Sequence, residues 1–181
     1  MSRIRLNRFG VLVALAGVAP RFAAAQNCSA AVPTGSCTVS TTTTMTAGTV
    51  LQLTLSASST ALTAPATADY DAGFVANNGP TATVRANRSW TLRIASSAAT
   101  WTATSTQPGV TARANKPAAD LQWSTSPAGS FVGLAVVGAA AAGAGATSGT
   151  TTSIYFHTLY NWTLDTPGNY SLAVVFTLSA P

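Results

Sequence analysis

Few groups in this chain could do chemistry. His157 is the single histidine, Asp69, Asp71, Asp120 and Asp165 are the only acidic residues, and Cys28 and Cys37 are the only cysteines. A hydrolytic triad would need His157, an aspartate and an activated serine, but no Gly-x-Ser-x-Gly turn exposes a nucleophile. His157 falls in an alternating stretch, on the face opposite Phe156 and Tyr160, where a solvent-side or satisfied strand histidine is the simpler expectation. A glycosidase pair would have to be assembled from aspartates on distant loops. Asp69-Tyr-Asp-Ala-Gly73 opens with the rhythm of a calcium loop, yet the later ligands and the closing glutamate are missing, so these aspartates are expected to cap turns. No zinc spacing occurs, nor a phosphate-cradling glycine loop between strand and helix. The expected catalytic, cofactor and metal sets are empty, and the chain is read as non-enzymatic.

Other side chains point to export and packing. In an oxidising compartment Cys28 and Cys37 are expected to pair, closing a loop around residues 33–35 and adding about 2–3 kcal/mol in the loop-entropy account. A reactive or metal-binding cysteine pair would need a nearby histidine or third cysteine, and none is near. Asn27, Asn87, Asn161 and Asn169 each begin an Asn-x-Ser/Thr triplet, which so hydroxyl-rich a composition produces partly by chance. Trp90, Trp101, Trp123 and Trp162 sit among polar residues at strand spacing and are expected in the core. On an exposed face they would instead form a sugar platform, with Trp101 and Trp123 the residues to test.

Residues 1–25 read as a cleaved secretory signal: Arg3, Arg5 and Arg8 make the basic start, residues 9–19 the short apolar run, and Ala23, Ala24 and Ala25 the cleavage site before Gln26. The apolar run is too short to span a bilayer. Nine basic residues stand against four acidic ones in the whole sequence, for a net charge of +5. Arg3, Arg5, Arg8 and Arg21 leave with the signal, so the mature chain carries a net charge of about +1. Arg85, Arg88, Arg93, Arg113 and Lys116 are dispersed, which argues against nucleic acid or an anionic membrane as a partner. The expected location is extracellular or at the cell surface, with no membrane span in the mature chain.

The elements around these residues are read as strands. The composition is rich in Thr, Ser, Ala and Val, with no glutamate and one lysine, which disfavours helices. Leu51, Leu53 and Leu55 share one strand face. Val84, then Trp90, Leu92 and Ile94, are inward candidates of two further strands, and residues 153–164 resume the alternation with Ile154, Phe156, Tyr160, Trp162 and Leu164 on one face. Residues 131–137 are expected as an apolar strand, residues 77–80 as a turn, residues 111–117 as polar loop and the Gly/Ala-rich residues 138–149 as a flexible loop. The clearest strand is the last, with Tyr170, Leu172, Val174, Phe176 and Leu178 on one face and Ser171, Ala173, Val175, Thr177 and Ser179 on the other. About eight short strands with turn residues between them predict an all-β antiparallel fold, a sandwich or barrel. The expected organisation is a signal at 1–25, an N-terminal arm with the Cys28–Cys37 loop at 26–48, and a β-domain at 49–181.

Pro167-Gly-Asn-Tyr-Ser-Leu172 resembles the tyrosine corner of immunoglobulin-like sandwiches, with Gly168 and Tyr170 in the corner positions and Leu172 where a cysteine is usual. The segment from Pro167 onward, with the start Cys37-Thr-Val-Ser40, resembles secreted pilin-like domains of the spore coat U type and other fimbrial subunits. That resemblance implies an immunoglobulin-like β-sandwich, one strand short, whose open groove receives a strand from a neighbour. It further implies Thr38, Val39, Met45, Tyr170, Leu172, Val174, Phe176 and Leu178 as subunit contacts, with copies of the chain or related surface subunits as partners. A monomeric module binding glycans through exposed aromatics is the alternative expectation.

Overall fold

The computed structural model describes residues 28–29 and 36–181; the expected leader at 1–25, its cleavage site and the loop at 33–35 lie outside the described residues. The chain divides into two units, Met1–Thr46 and Ala47–Pro181. In the first, Cys28 and Cys37 form a disulfide. Residues 36–46 are exposed and lie in neither helix nor strand. Threonine favours extended backbone, but extended backbone becomes a strand only when a ladder partner takes its N–H and C=O groups.

Most of the regular structure in the second unit is strand: β1 (Leu51–Leu55), β2 (Phe74–Ala86), β3 (Trp90–Ser96), β4 (Thr102–Thr104), β5 (Leu121–Ser124), β6 (Val132–Gly133), β7 (Ala139–Ala144), β8 (Thr147–Leu159), β9 (Asn169–Ser171) and β10 (Val174–Ser179). A six-residue helix, α1 (Thr67–Ala72), precedes β2, and a 3-10 turn, Ala118–Asp120, precedes β5. Every pairing is antiparallel. The larger sheet has the order β1-β2-β8-β5-β6, the second β10-β3-β7, and β4 pairs with β9 alone.

The two larger sheets share one apolar interior. Ala82, Val84 and Ala86 of β2 cluster with Trp90 and Leu92 of β3, while Ile94 clusters with Leu121 and Trp123 of β5, Ile154 and Phe156 of β8, and Trp101 and Leu134. Leu92 and Val84 are fully buried, and Ile94 and Ile154 are 1% exposed. Only Asn87, Arg88 and Ser89 separate β2 from β3, yet the two strands lie in different sheets. The corner is held by Asn87, whose Oδ1 accepts from Val50 N at 2.9 Å while its Nδ2 donates to Gly48 O at 2.7 Å.

Several expectations are corrected. Residues 77–80 are no turn: β2 runs through them with a bulge between Asn78 and Thr81. A Cβ at Gly79 would lie 2.6 Å from Phe156 Cε2 and 2.9 Å from Ile154 O, so the bulged backbone passes where only glycine fits. Residues 138–149 are no flexible loop either. They form β7 and the start of β8, because β3 offers an edge to which small residues can pair, Leu92 opposite Ala142 and Ile94 opposite Ala139. In residues 131–137 only Val132–Gly133 pairs, and Val136 and Val137 are 56% and 85% exposed. The alternation in residues 153–164 stops at Leu159. There Asn161 Oδ1 accepts from Thr163 N at 2.9 Å, a local side-chain bond that turns the backbone. Trp162 and Leu164 are accordingly 58% and 52% exposed rather than buried, whereas Trp90, Trp101 and Trp123 are core residues at 3%, 5% and 6%. With Trp101 and Trp123 inside, no sugar platform is made of them.

Candidate functional site

The site begins with the inward face of the last strands. Across the register, Phe176 of β10 lies opposite Ile94 of β3, and Leu178 opposite Leu92. The β3 residues are sealed, but Leu172, Val174, Phe176 and Leu178 are only half-buried. The difference follows from position. β3 is flanked by strands on both sides, whereas β10 is an edge strand, and among the described residues nothing pairs with its second edge. β1 is the edge of the larger sheet, and it too has a single partner.

Between these edges lies a groove of about 620 Å³, within the size range of ligand clefts, roughly 300–1,000 Å³. It is lined by Tyr170, Leu172, Val174 and Phe176, by Trp101, Leu121 and Phe156 of the apolar cluster, and by Leu55 and residues 57–65. Leu178 packs in the second cluster with Leu53 and Leu55. Thr38, Val39 and Met45 belong to the first unit, where Val39 and Met45 are 53% and 89% exposed.

The bend leading into β9 and β10 is tightly bonded. Tyr170 Oη donates to Thr166 O, four residues upstream, at 2.7 Å and accepts from Arg113 N at 3.0 Å. A Cβ on Gly168 would lie 2.6 Å from Ala112 Cβ and 3.0 Å from Thr104 O, so the bend passes against β4 only as glycine. β9 then pairs with β4, Tyr170 opposite Ala103.

One end of the groove is charged, lined by Lys116 and Asp165. Lys116, 1% exposed, donates to Asp165 Oδ1 at 2.9 Å, to Asp120 Oδ2 at 3.2 Å and to Leu159 O at 2.7 Å, and its Nζ lies 5.0 Å from the centre of the Tyr160 ring. Asp165, 7% exposed, also accepts from Arg113 Nη1 at 3.1 Å and from Asn161 N at 2.8 Å. All three ammonium protons have acceptors and both carboxylate oxygens have donors, which is what burial of charge requires. The cluster ties residues 113–120 to Leu159, Asn161 and Asp165. Residues 111–117 were expected as polar loop, and the Lys116–Asp120 spacing of four was the only local signal of the pairing.

Tyrosines line the same end. Tyr160 is pushed up to about 12, first by burial and then by Tyr70 and the negative charges of Asp165 and Asp69. Tyr70 is raised by burial first and then by Asp165. Tyr70 stacks on the exposed Trp162 at 4.6 Å, and Trp162 Nε1 donates to Asp71 Oδ1 at 3.1 Å. Asp69 Oδ2 accepts from Ala66 N at 2.8 Å, capping α1. The segment read as a possible calcium-loop opening is thus a short helix closed by Gly73. Among the described residues no three His, Cys, Asp or Glu side chains are grouped to hold a metal.

His157 stands apart from the groove. It is partly exposed, stacked between Phe131, at 3.5 Å and 8°, and Phe74, at 4.3 Å and 27°, and burial pushes its pKa down. No family model, no curated protein and no solved structure matches this chain.

Proposed function

We propose that this chain is a secreted, non-catalytic structural subunit that assembles at the cell surface by strand addition, residues 38–46 of one copy lying in the groove of the next. The observation that carries the reading is the half-buried inward face of β10 beside an unpaired edge. A strand laid along that edge would complete the ladder and cover Leu172, Val174 and Phe176 together. The two-layer arrangement and the Tyr170–Thr166 bond support an immunoglobulin-like sandwich. The arm has the matching properties: it is exposed, uncharged, free of proline and outside helix and strand, and Val39, Thr41, Thr43 and Met45 would fall on one face of a strand.

The magnitudes are consistent with a partner that is a strand rather than a small ligand. Completing the burial of a half-buried Leu, Val or Phe is worth about 1 kcal/mol, and each ladder bond a net 0.5–1.5 kcal/mol or so. Neither term alone offsets an association cost of roughly 4–15 kcal/mol, whereas five or six paired residues supply both. Deleting residues 26–46 from the mature chain should leave a folded monomer with no large assemblies in electron microscopy and sedimentation. Unchanged filaments after that deletion would refute the proposal.

A second reading, a glycan-binding module, is favoured by one observation. Trp162 is exposed, with its indole N–H held by Asp71 and one face stacked on Tyr70, the pinned geometry that suits a sugar ring on the free face. Glycan binding by a monomer, lost in Trp162→Ala, would support this reading over assembly.

A further inference from the structure

An apolar groove open to water invites the wrong contacts, so the free subunit needs something beside its exposed core. Residues 57–65 line the groove along their whole length. Their sequence, Ala-Ser-Ser-Thr-Ala-Leu-Thr-Ala-Pro, has one large apolar side chain, Leu62, which packs against the cluster of Trp101, Leu121 and Phe156.

The segment is held firmly at its ends and weakly between them. At one end Ser56 N donates to Thr81 O and Thr81 N to Ser56 Oγ, both at 2.9 Å; at the other Asp69 Oδ2 accepts from Ala66 N at 2.8 Å at the start of α1. Between these clamps the one hydrogen bond found is Thr63 N to Asn77 Oδ1 at 2.8 Å. The other half of that amide, Asn77 Nδ2, is buried without a partner. A buried donor left unpaired weakens the closed arrangement and would gain a partner if the segment moved.

We propose that residues 57–65 are a displaceable strap, the groove's own provisional occupant, which shelters the core in the free subunit and withdraws Leu62 when a strand from a second copy enters. This rests on the strand-addition reading and adds a barrier to it. Entry of the strand is limited by release of Leu62 and of the Thr63–Asn77 bond, while the clamps at Ser56 and Ala66 keep the strap tethered for return.

The test uses the mature chain, residues 26–181, and a synthetic peptide of residues 38–46. Assembly followed by light scattering should be about fivefold faster in Leu62→Ala, the factor expected for releasing one half-buried leucine. Hydrogen exchange on the unsubstituted chain provides a readout that needs no variant: on adding peptide, amides of β10 should gain protection while the Thr63 amide loses it. If the peptide protects β10 and Thr63 stays protected, or if Leu62→Ala assembles within twofold of the parent, the strap is a fixed wall and the proposal is overturned. Failure of the underlying reading looks different: β10 is unprotected by the peptide and deletion of residues 26–46 leaves assembly intact.

Discussion

Lys116 and Asp165 are the residues on which a single substitution should weigh most. Each is buried, and removal of one takes from the other its nearest opposite charge while a second remains, so the loss should stay below the roughly 3–5 kcal/mol of an isolated buried pair that is broken. The two are not equivalent. Without Lys116, Asp165 still has Arg113 Nη1 and Asn161 N; without Asp165, Lys116 keeps only Asp120 and a carbonyl, and Arg113 loses its nearer carboxylate, 3.1 Å against 3.4 Å. Asp165→Ala is therefore expected to lower the urea midpoint more than Lys116→Met, and equal losses would contradict this ranking. Two titrations bound the stable pH range. His157 has a folded pKa below its usual 6.5, so the unfolded chain takes up its proton first, and stability falls as pH drops below about 6.5. Tyr160 moves from 10.0 to about 12, so the unfolded chain loses its proton first and stability falls from about pH 10 to 12. Melting curves should flatten at the acid end in His157→Gln and at the alkaline end in Tyr160→Phe.

At the scale of elements, β3 and β10 form an internal control, because their residues face the same core from neighbouring positions. Ile94→Ala opens a cavity in a sealed site and should cost about 2–5 kcal/mol in the free subunit, while Phe176→Ala, opposite it in the register, should cost less than the 3–5 kcal/mol or so typical of a fully buried phenylalanine. Under the strand-addition proposal the order should reverse in assembled material, because the incoming strand would then cover Phe176. Chemical denaturation of monomer and assembly separates the two cases, and an Ile94→Ala effect that dominates both would count against an added strand. The same elements mark what the sequence could disclose. β1, the second half of β2, β3 and β10 were legible because period-two alternation is local. β7 was not, because Ala139–Ala144 carries no alternation and becomes a strand only through the edge that β3 presents. Trp162 and Leu164 continued a pattern that the side chain of Asn161 ends. Of the site, the apolar face of β10 was readable, but the charged end was not, since Arg113, Lys116, Asp120 and Asp165 converge only through the fold.

For the whole molecule, the balance of forces in assembly follows from how little charge the chain carries. Of the four aspartates, Asp120 and Asp165 are bound to Lys116 and Arg113, leaving Asp69 and Asp71 against Arg85, Arg88 and Arg93 at separated positions of the second unit. Residues 38–46 have no charge at all. An association driven by opposite surface charges weakens steeply as the screening length shrinks from about 10 Å at 0.1 M salt to about 3 Å at 1 M. One driven by backbone pairing and apolar burial does not, and excluded salts such as sulfate strengthen it. If the copies join as proposed, sedimentation of residues 26–181 should give the same assembled fraction, within about twofold, from 0.05 to 0.5 M sodium chloride, and a larger fraction in sulfate of equal ionic strength. Dissociation by sodium chloride alone would mean that the arginines, rather than the free edge of β10 and the groove beneath it, hold the copies together.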